Sequence, residues 1–329
     1  MAQPLSPNID VPATVTVVIC THNRCEYLTE TLDALNAQHC PDFSFTVLVV
    51  DNGSTDDTRQ RVTDFQTRLR VPLDYVYEAR LGLSIARNVA IDRVTTPYIA
   101  FLDDDSPPSP RWLVHLLAPF TSLEPRPGAV GGRVLLRWSD QQPAWLPDEL
   151  LGVYSQLDYG ETPQIVRMVN GCNVAFPTEV LRHYRFDTRL GVVGKGQLPG
   201  EDAEILQRMR ADKLSVYYQP AALVTHIVGR YRENPDYIWQ RCHGIGRQQA
   251  LLAVLPRWPG RRGIMRLMLQ DCWFRRHWWK RLLVGTLSGK LLRDVQERTW
   301  ARSALIRFYE FQRQMAVFFL GGSASLPSQ

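Results

Sequence analysis

Three adjacent carboxylates, Asp103, Asp104 and Asp105, end an apolar run in the stretch T-P-Y-I-A-F-L-D-D-D-S-P-P-S-P. Neighbouring carboxylates repel, so each raises the energy of its ionised neighbour unless a cation lies between them. A hard divalent ion, Mn2+ or Mg2+, suits oxygen ligands and is commonly held by one or two carboxylates together with substrate phosphates. The short apolar run, residues 98–102, reads as a buried strand, and the prolines at 107, 108 and 110 prevent its continuation. The acids are therefore expected at a strand's carboxyl end. A competing reading makes them a solvated acidic turn before a helix that starts near Arg111 with Ser109 as its N-cap. An isolated acidic run would favour that reading; the residues elsewhere in the chain argue against it.

Residues 15–19 form a β-branched run that leads into C-T-H-N-R, followed by helical spacing over residues 26–37. Residues 45–50 form a second apolar run ending at Asp51, after which N-G-S-T-D-D-T supplies a turn and an N-cap for a helix from about Thr55. Residues 73–77, 84–92 and 98–102 continue the alternation as strand, helix and strand. Such alternation predicts an α/β fold with a largely parallel, doubly wound sheet. Open sheets of this kind bind ligands at the carboxyl ends of their strands. Thr21, Asp51 and Asp103 to Asp105 would converge there, which scattered solvated acids would not do.

Residues 130–138 read as a further strand, followed by the irregular S-D-Q-Q-P-A-W-L-P-D. Trp138 and Trp145 are either acceptor-side aromatics or packing residues. In M-V-N-G-C-N-V-A-F, residues 168–176, polar and small residues interrupt an apolar stretch where backbone must pass close to something. Residues 191–200 hold four glycines in ten and read as a mobile loop. Glu201 and Asp202 follow at or just before the first turn of a helix predicted over residues 203–210; helix capping accounts for one of them. Residues 216–218 and 222–225 suggest another extended segment ended by His226, a residue type that in such a place is more often a structural or surface residue than a ligand.

The 329 residues suffice for one large α/β domain plus an appendage. The six cysteines show neither a C-x-x-C pair nor a framework spacing, which fits a reducing compartment. The amino-terminal residues 1–13 lack a basic leader and an apolar core and are expected to be disordered, so a cytoplasmic protein is expected. No run reaches the roughly 20 apolar residues that span a bilayer. Net charge is +5, unevenly spread: from Pro256 onward there are 14 Lys and Arg against 4 Asp and Glu, a net +10, leaving 24 against 29, or −5, before it. The tail also carries five of the nine tryptophans. A helix over residues 264–284 would be amphipathic and basic, suited to an anionic membrane surface, to docking on the remainder of the protein or, more weakly, to nucleic acid. No recognisable nucleic-acid fold accompanies it, so no nucleic-acid partner is expected.

Six segments in order resemble the family 2 glycosyltransferases of the GT-A fold, over about residues 14–230. V-V-I-C-T-H-N-R resembles the first-strand motif, V-L-V-V-D-N-G-S-T-D-D-T the nucleotide motif and L-G-L-S-I-A-R-N-V-A the Gly-x-x-x-Ala-Arg-Asn segment. The triple acid resembles Asp-x-Asp, N-G-C-N-V-A-F the acceptor-side strand and G-E-D-A-E the Glu-Asp motif. The resemblance implies a GT-A domain, expected over residues 14–255, and the charge and tryptophan content of residues 256–329 lead to the expectation of a separate basic helical region there. It places Thr21, Asn23, Asp51 and Arg87 around the nucleotide, with Asp103 and Asp104 on the nucleotide-sugar. Asp105 and His226 would hold Mn2+ or Mg2+, Asp202 would be the catalytic base and Glu201 its orienting neighbour. The implied activity is inverting transfer from a nucleoside-diphosphate sugar, a UDP-sugar first, to a glycan or lipid-linked acceptor in surface polysaccharide synthesis. The implied setting is the cytoplasm, with peripheral contact at the inner membrane surface through the tail. Two alternatives remain open: a nucleotidyltransferase, although C-T-H-N-R is not the Gly-rich basic loop such enzymes use, and a degenerate GT-A domain serving as a membrane-associated assembly factor.

Overall fold

A computed structural model describes residues 13–193, 196–254, 260–274, 276–287 and 294–321. The disorder expected over residues 1–13 therefore falls, apart from Ala13, outside the described residues. The chain divides into two compact units, one of Met1–Leu136, Leu157–Thr188 and Glu201–Ile227, the other of Arg137–Gln156, Arg189–Gly200 and Val228–Gln329.

The first unit is built on an eight-stranded sheet. Its parallel half is β1 (Ala13–Thr21), β2 (Ser44–Asp51), β3 (Leu73–Tyr77) and β4 (Tyr98–Leu102), with β2 and β4 flanking β1 and β3 beyond β2. The registers Thr21↔Asp51 and Val18↔Phe101 bring the carboxyl ends of these strands to one edge. β1 and β2 are buried on both faces, which is why they read as nearly continuous apolar runs. Val15, Val17 and Ile19 pack on Leu28, Leu32 and Leu35 of α1 (Cys25–Asn36), while Val18 and Val50 pack on Ala86, Ala90 and Ile91 of α3 (Leu83–Arg93). The other half adds β5 (Ala129–Arg137), β6 (Gln164–Val166), β7 (Asn173–Pro177) and β10 (Val216–Ile227), in the order β3-β2-β1-β4-β7-β5-β10-β6. β7 runs antiparallel to both β4 and β5 and leads into α5 (Thr178–His183), and β6 runs antiparallel to β10.

Several boundaries differ from the sequence reading for physical reasons. The helix expected near Arg111 is α4 (Trp112–Ser122), whose N-cap is Arg111 and not Ser109. The prolines before it are drawn onto β10 instead: Pro108 bridges Val224, and the Ser109 amide donates to Leu223 O at 2.9 Å. The acids are thus followed by extended chain and not by a capped helix. The helix expected from about Thr55 is α2 (Thr58–Gln66), because Asp56 accepts from both the Thr58 amide at 3.1 Å and its hydroxyl at 2.5 Å. The extended segment read before His226 is β10, which carries Pro220 without a break and alternates buried residues with half-buried or exposed ones along its length. That alternation puts His226 on the same buried face as Val216, Tyr218, Ala222 and Val224.

In the second unit the glycine-rich segment is not a plain loop. β8 (Gly191–Val193) and β9 (Gly196–Leu198) pair antiparallel as a hairpin, with residues 194 and 195 outside the described residues. Within the segment read as an amphipathic helix, helix is described over α8 (Gly260–Phe274) and α9 (Arg276–Leu287), residue 275 lying outside the described residues. α7 (Pro235–Val254) packs closely on α10 (Val295–Gly321), where a Cβ at Gly246 would lie 2.7 Å from Arg307 O. Ala250, Leu251, Val254, Ile264, Phe311 and Met315 form the apolar centre between α7, α8 and α10. Glu310 of α10, 5% exposed, binds His243 at 3.0 Å and Arg313 at 3.0 Å. Arg281 pairs with Glu297 and Glu149, both at 2.9 Å, so part of the tail's positive charge is answered within its own unit. No helix among the described residues is long and apolar enough to cross a membrane.

Candidate active site

Whereas Trp138 and Trp145 lie in the second unit, all ten residues that the resemblance assigns to the site lie in the first, at or near the carboxyl edge of the parallel strands. They fall into three connected groups.

The first group lies in the loops after β1 and β2. Asp51, 2% exposed, accepts from the Ser54 amide at 2.8 Å and the Tyr75 hydroxyl at 2.7 Å. Asn23 adopts the left-handed region at φ 53°, where Asn is among the better-tolerated residues. Its amide donates to Ser54 Oγ at 2.9 Å and its Oδ1 accepts from the Thr55 amide at 2.7 Å. The two loops are thereby stitched into one rim.

The second group surrounds the buried acids. Thr21 donates to Asp104 Oδ2 at 2.6 Å, and the Thr31 hydroxyl donates to Asp104 O at 2.8 Å. Arg24 pairs with Asp104 at 3.0 Å and also with Asp105. Asp105 is wholly buried and its Oδ1 lies 3.4 Å from His226 Nε2. Among the described residues no three or more His, Cys, Asp and Glu side chains form a ready-made metal cage. The set nevertheless fits Mn2+ or Mg2+: a buried carboxylate faces an imidazole, and such ions complete their shell with phosphate oxygens and water.

The third group is organised by Arg87, which lies on the buried face of α3 and is 3% exposed. Its guanidinium sits 5.4 Å from the ring centre of Phe101 and 5.2 Å from that of Phe186. It reaches Glu201 at 3.0 Å, Asp202 at 3.9 Å and Asp103 at 3.9 Å. Burial opposes its charge, but these three acids outweigh that and hold it protonated. Asp103 is pushed up to about 7, first by desolvation and then by Asp105 and Asp104, with Arg87 and Arg24 opposing. Glu201, at the start of α6 (Glu201–Ala211), is pushed up to about 8 by burial and by Asp202, against the pull of Arg87. Asp202 is 21% exposed and accepts from the Gly171 amide at 2.7 Å. A Cβ at Gly171 would lie 2.5 Å from Arg87 Nη2 and 2.8 Å from Asp202 Oδ2, which is the close approach expected of the N-G-C-N segment.

Asn173 of the same segment is a framework residue. Wholly buried, it accepts from Trp112 Nε1 at 2.8 Å and donates to Ala222 O at 2.8 Å and Arg133 O at 3.0 Å. Replacing it by Ala leaves three buried groups without this partner, so Asn173→Ala is expected to cost about 2–4 kcal/mol of stability. Urea denaturation followed by circular dichroism measures it; an unchanged midpoint would contradict the assignment.

Three residues at this edge were not singled out from the sequence: Arg24, Ser54 and Tyr75. For Arg24 a signal existed, since it is the basic residue that ends T-H-N-R at the same sheet edge as three acids.

With this geometry in view, the relationships are clear. Residues 16–185, just over half of the chain, match the family described as Glycosyl transferase family 2, and the chain belongs to that family of glycosyltransferases. It is 28% identical over 247 residues to the glucosyl-dolichyl phosphate glucuronosyltransferase of Haloferax volcanii, a match covering 73% of this chain and 78% of that protein. It is 27% identical over 282 residues to succinoglycan biosynthesis protein ExoM of Rhizobium meliloti, covering 84% and 82%. Its fold resembles that of mannosyltransferase PcManGT from Pyrobaculum calidifontis, solved with GDP-Man and Mn2+, at a TM-score of 0.57 and 19% identity over 96% of this chain and 76% of that one. GalNAc-T7, solved with UDP, GalNAc and Mn2+, gives 0.54 and 15% over 76% of this chain; the match covers about half, 52%, of GalNAc-T7. These structural likenesses identify the fold as GT-A.

Proposed function

We propose that this chain is a divalent-metal-dependent, inverting glycosyltransferase that moves a sugar from a nucleoside diphosphate, a UDP-sugar first, to a hydroxyl of a glycan or lipid-linked acceptor in surface polysaccharide synthesis. The observation that carries this reading is the position of Arg87, one buried guanidinium within 3.9 Å of both Asp103 and Asp202. It ties the acids of the donor side to the carboxylate that would act on the acceptor. The names of the relatives, one in succinoglycan biosynthesis and one acting on a dolichyl phosphate, support the substrate class. The solved structures with GDP-Man or UDP and Mn2+ support the donor class.

Asp105 and His226 would hold the metal, which when bound supplies positive charge to the departing diphosphate. Asp202 would take the acceptor hydroxyl's proton as the new bond forms. The hydrogen bond from Gly171 fixes that carboxylate. Glu201, buried and held 3.0 Å from Arg87, is suited to orienting Asp202 beside it. Attack opposite the leaving group inverts the anomeric centre. Family membership sets aside a nucleotidyltransferase. Retention of Asp103, Asp105 and Asp202 together speaks against a degenerate assembly factor. A thermal-shift screen of nucleotide sugars with and without Mn2+ tests the reading: a metal-dependent rise with at least one donor is expected, and none with any donor would overturn it.

The tail adds a surface contact. α8 turns Ile264 into its unit's core and leaves Arg262, Met265, Arg266, Leu269 and Gln270 exposed on the opposite face. Two arginines and two large apolar side chains on one face suit an anionic lipid surface. The full chain is expected to sediment with phosphatidylserine vesicles, less so at high salt, and Arg262→Glu with Arg266→Glu is expected to release most of it. Equal sedimentation of that double variant would contradict this contact.

A further inference from the structure

Arg24 occupies the place in the acidic cluster where charge neutralisation is needed. It follows Asn23, whose left-handed turn and bonds to the β2–α2 loop fix the chain direction just ahead of it. One guanidinium nitrogen pairs with Asp104 at 3.0 Å, the other with Asp105, and the Tyr27 ring centre lies 5.0 Å from its central carbon. Asp104 and Asp105 are 3% and 0% exposed at their side chains, whereas Arg24 is 24% exposed. The guanidinium is thus the accessible member of a buried ion-paired set.

A divalent ion on Asp105 would share that carboxylate with a guanidinium, and two cations a few ångströms apart repel. The ion can bind well only if Arg24 withdraws, and withdrawal needs another anion to receive it. A nucleoside diphosphate is such an anion, and Arg groups pair with phosphate oxygens in the same forked geometry they use for carboxylates. Resting on the donor and metal reading above, we infer that Arg24 is the resident cation of the acidic cluster, displaced from Asp105 by the metal and received by the donor's diphosphate. Metal and nucleotide then bind cooperatively, and Arg24 sets the size of the coupling.

The test measures Mn2+ binding to the full chain by electron paramagnetic resonance of the free ion, with and without UDP, for the unaltered protein, Arg24→Gln and Arg24→Lys. In the unaltered protein UDP is expected to tighten Mn2+ at least tenfold. Arg24→Gln is expected to bind Mn2+ alone at least tenfold more tightly than the unaltered protein, with the enhancement by UDP correspondingly reduced; Arg24→Lys, which keeps the charge, stays near the unaltered protein. Arg24→Met, of similar length and uncharged, gives the same reading if the glutamine variant melts below the assay temperature. If the unaltered protein binds Mn2+ with UDP but the uncharged variants bind Mn2+ alone no more tightly than it does, the inference about Arg24 is overturned and the metal reading stands. If the unaltered protein binds no Mn2+ even with UDP, both are overturned.

Discussion

Asp202→Asn is expected to lower turnover by roughly 10²–10⁴, the range for loss of a general base, while UDP with Mn2+ binds nearly as tightly as before. The amide keeps the shape of the carboxylate, and its oxygen can still accept the hydrogen bond from Gly171 that measures 2.7 Å in the unaltered chain. It cannot take a proton from an acceptor hydroxyl. Arg87 retains Glu201 at 3.0 Å, so the buried framework of the site persists in the variant. The loss therefore falls on the chemical step and not on donor affinity. Near-normal turnover would pass the role to Glu201, the other carboxylate on Arg87.

Asp105→Ala is expected to damage binding and chemistry together. It removes a wholly buried carboxylate that faces His226 at 3.4 Å and pairs with Arg24. A charged ligand to a divalent ion is then lost, and UDP affinity in Mn2+ should fall on the order of 100-fold, with the remaining binding insensitive to chelator. Isothermal titration of both variants separates the two roles: Asp202→Asn keeps the metal-dependent heat, and Asp105→Ala loses it. Retained metal-dependent binding in Asp105→Ala would remove that residue from the metal site.

The parallel half of the fold was legible because β1 to β4 are short apolar runs closed by polar turns, and burial on both faces makes such runs conspicuous. The edge that gathers Thr21, Asp51 and the three acids follows from alternation alone. The antiparallel half was less legible. The extended segment before His226 was read as such, but only the alternation of the folded strand β10 puts His226 among buried residues. The hairpin over residues 191–198 was hidden by its glycines, which mark freedom in a sequence but here accompany paired strands. Charge compensation was least legible of all. Arg87 lies among Ala86, Ala90 and Ile91 on the buried side of α3, and its acidic partners Glu201 and Asp202 are more than a hundred residues away in sequence. Arg24 meets Asp104 and Asp105 across a comparable gap between two loops. Periodicity carries no information about such pairings; the summed charge of three adjacent acids does, because a fold that buries two of them must bring a cation to meet them.

Calorimetric titration of the unaltered chain with UDP, once in Mn2+ and once in excess chelator, tests the donor-binding claim most directly. Saturable binding in Mn2+ that disappears with chelator is the result this account predicts. Equal affinity in the two conditions would contradict it.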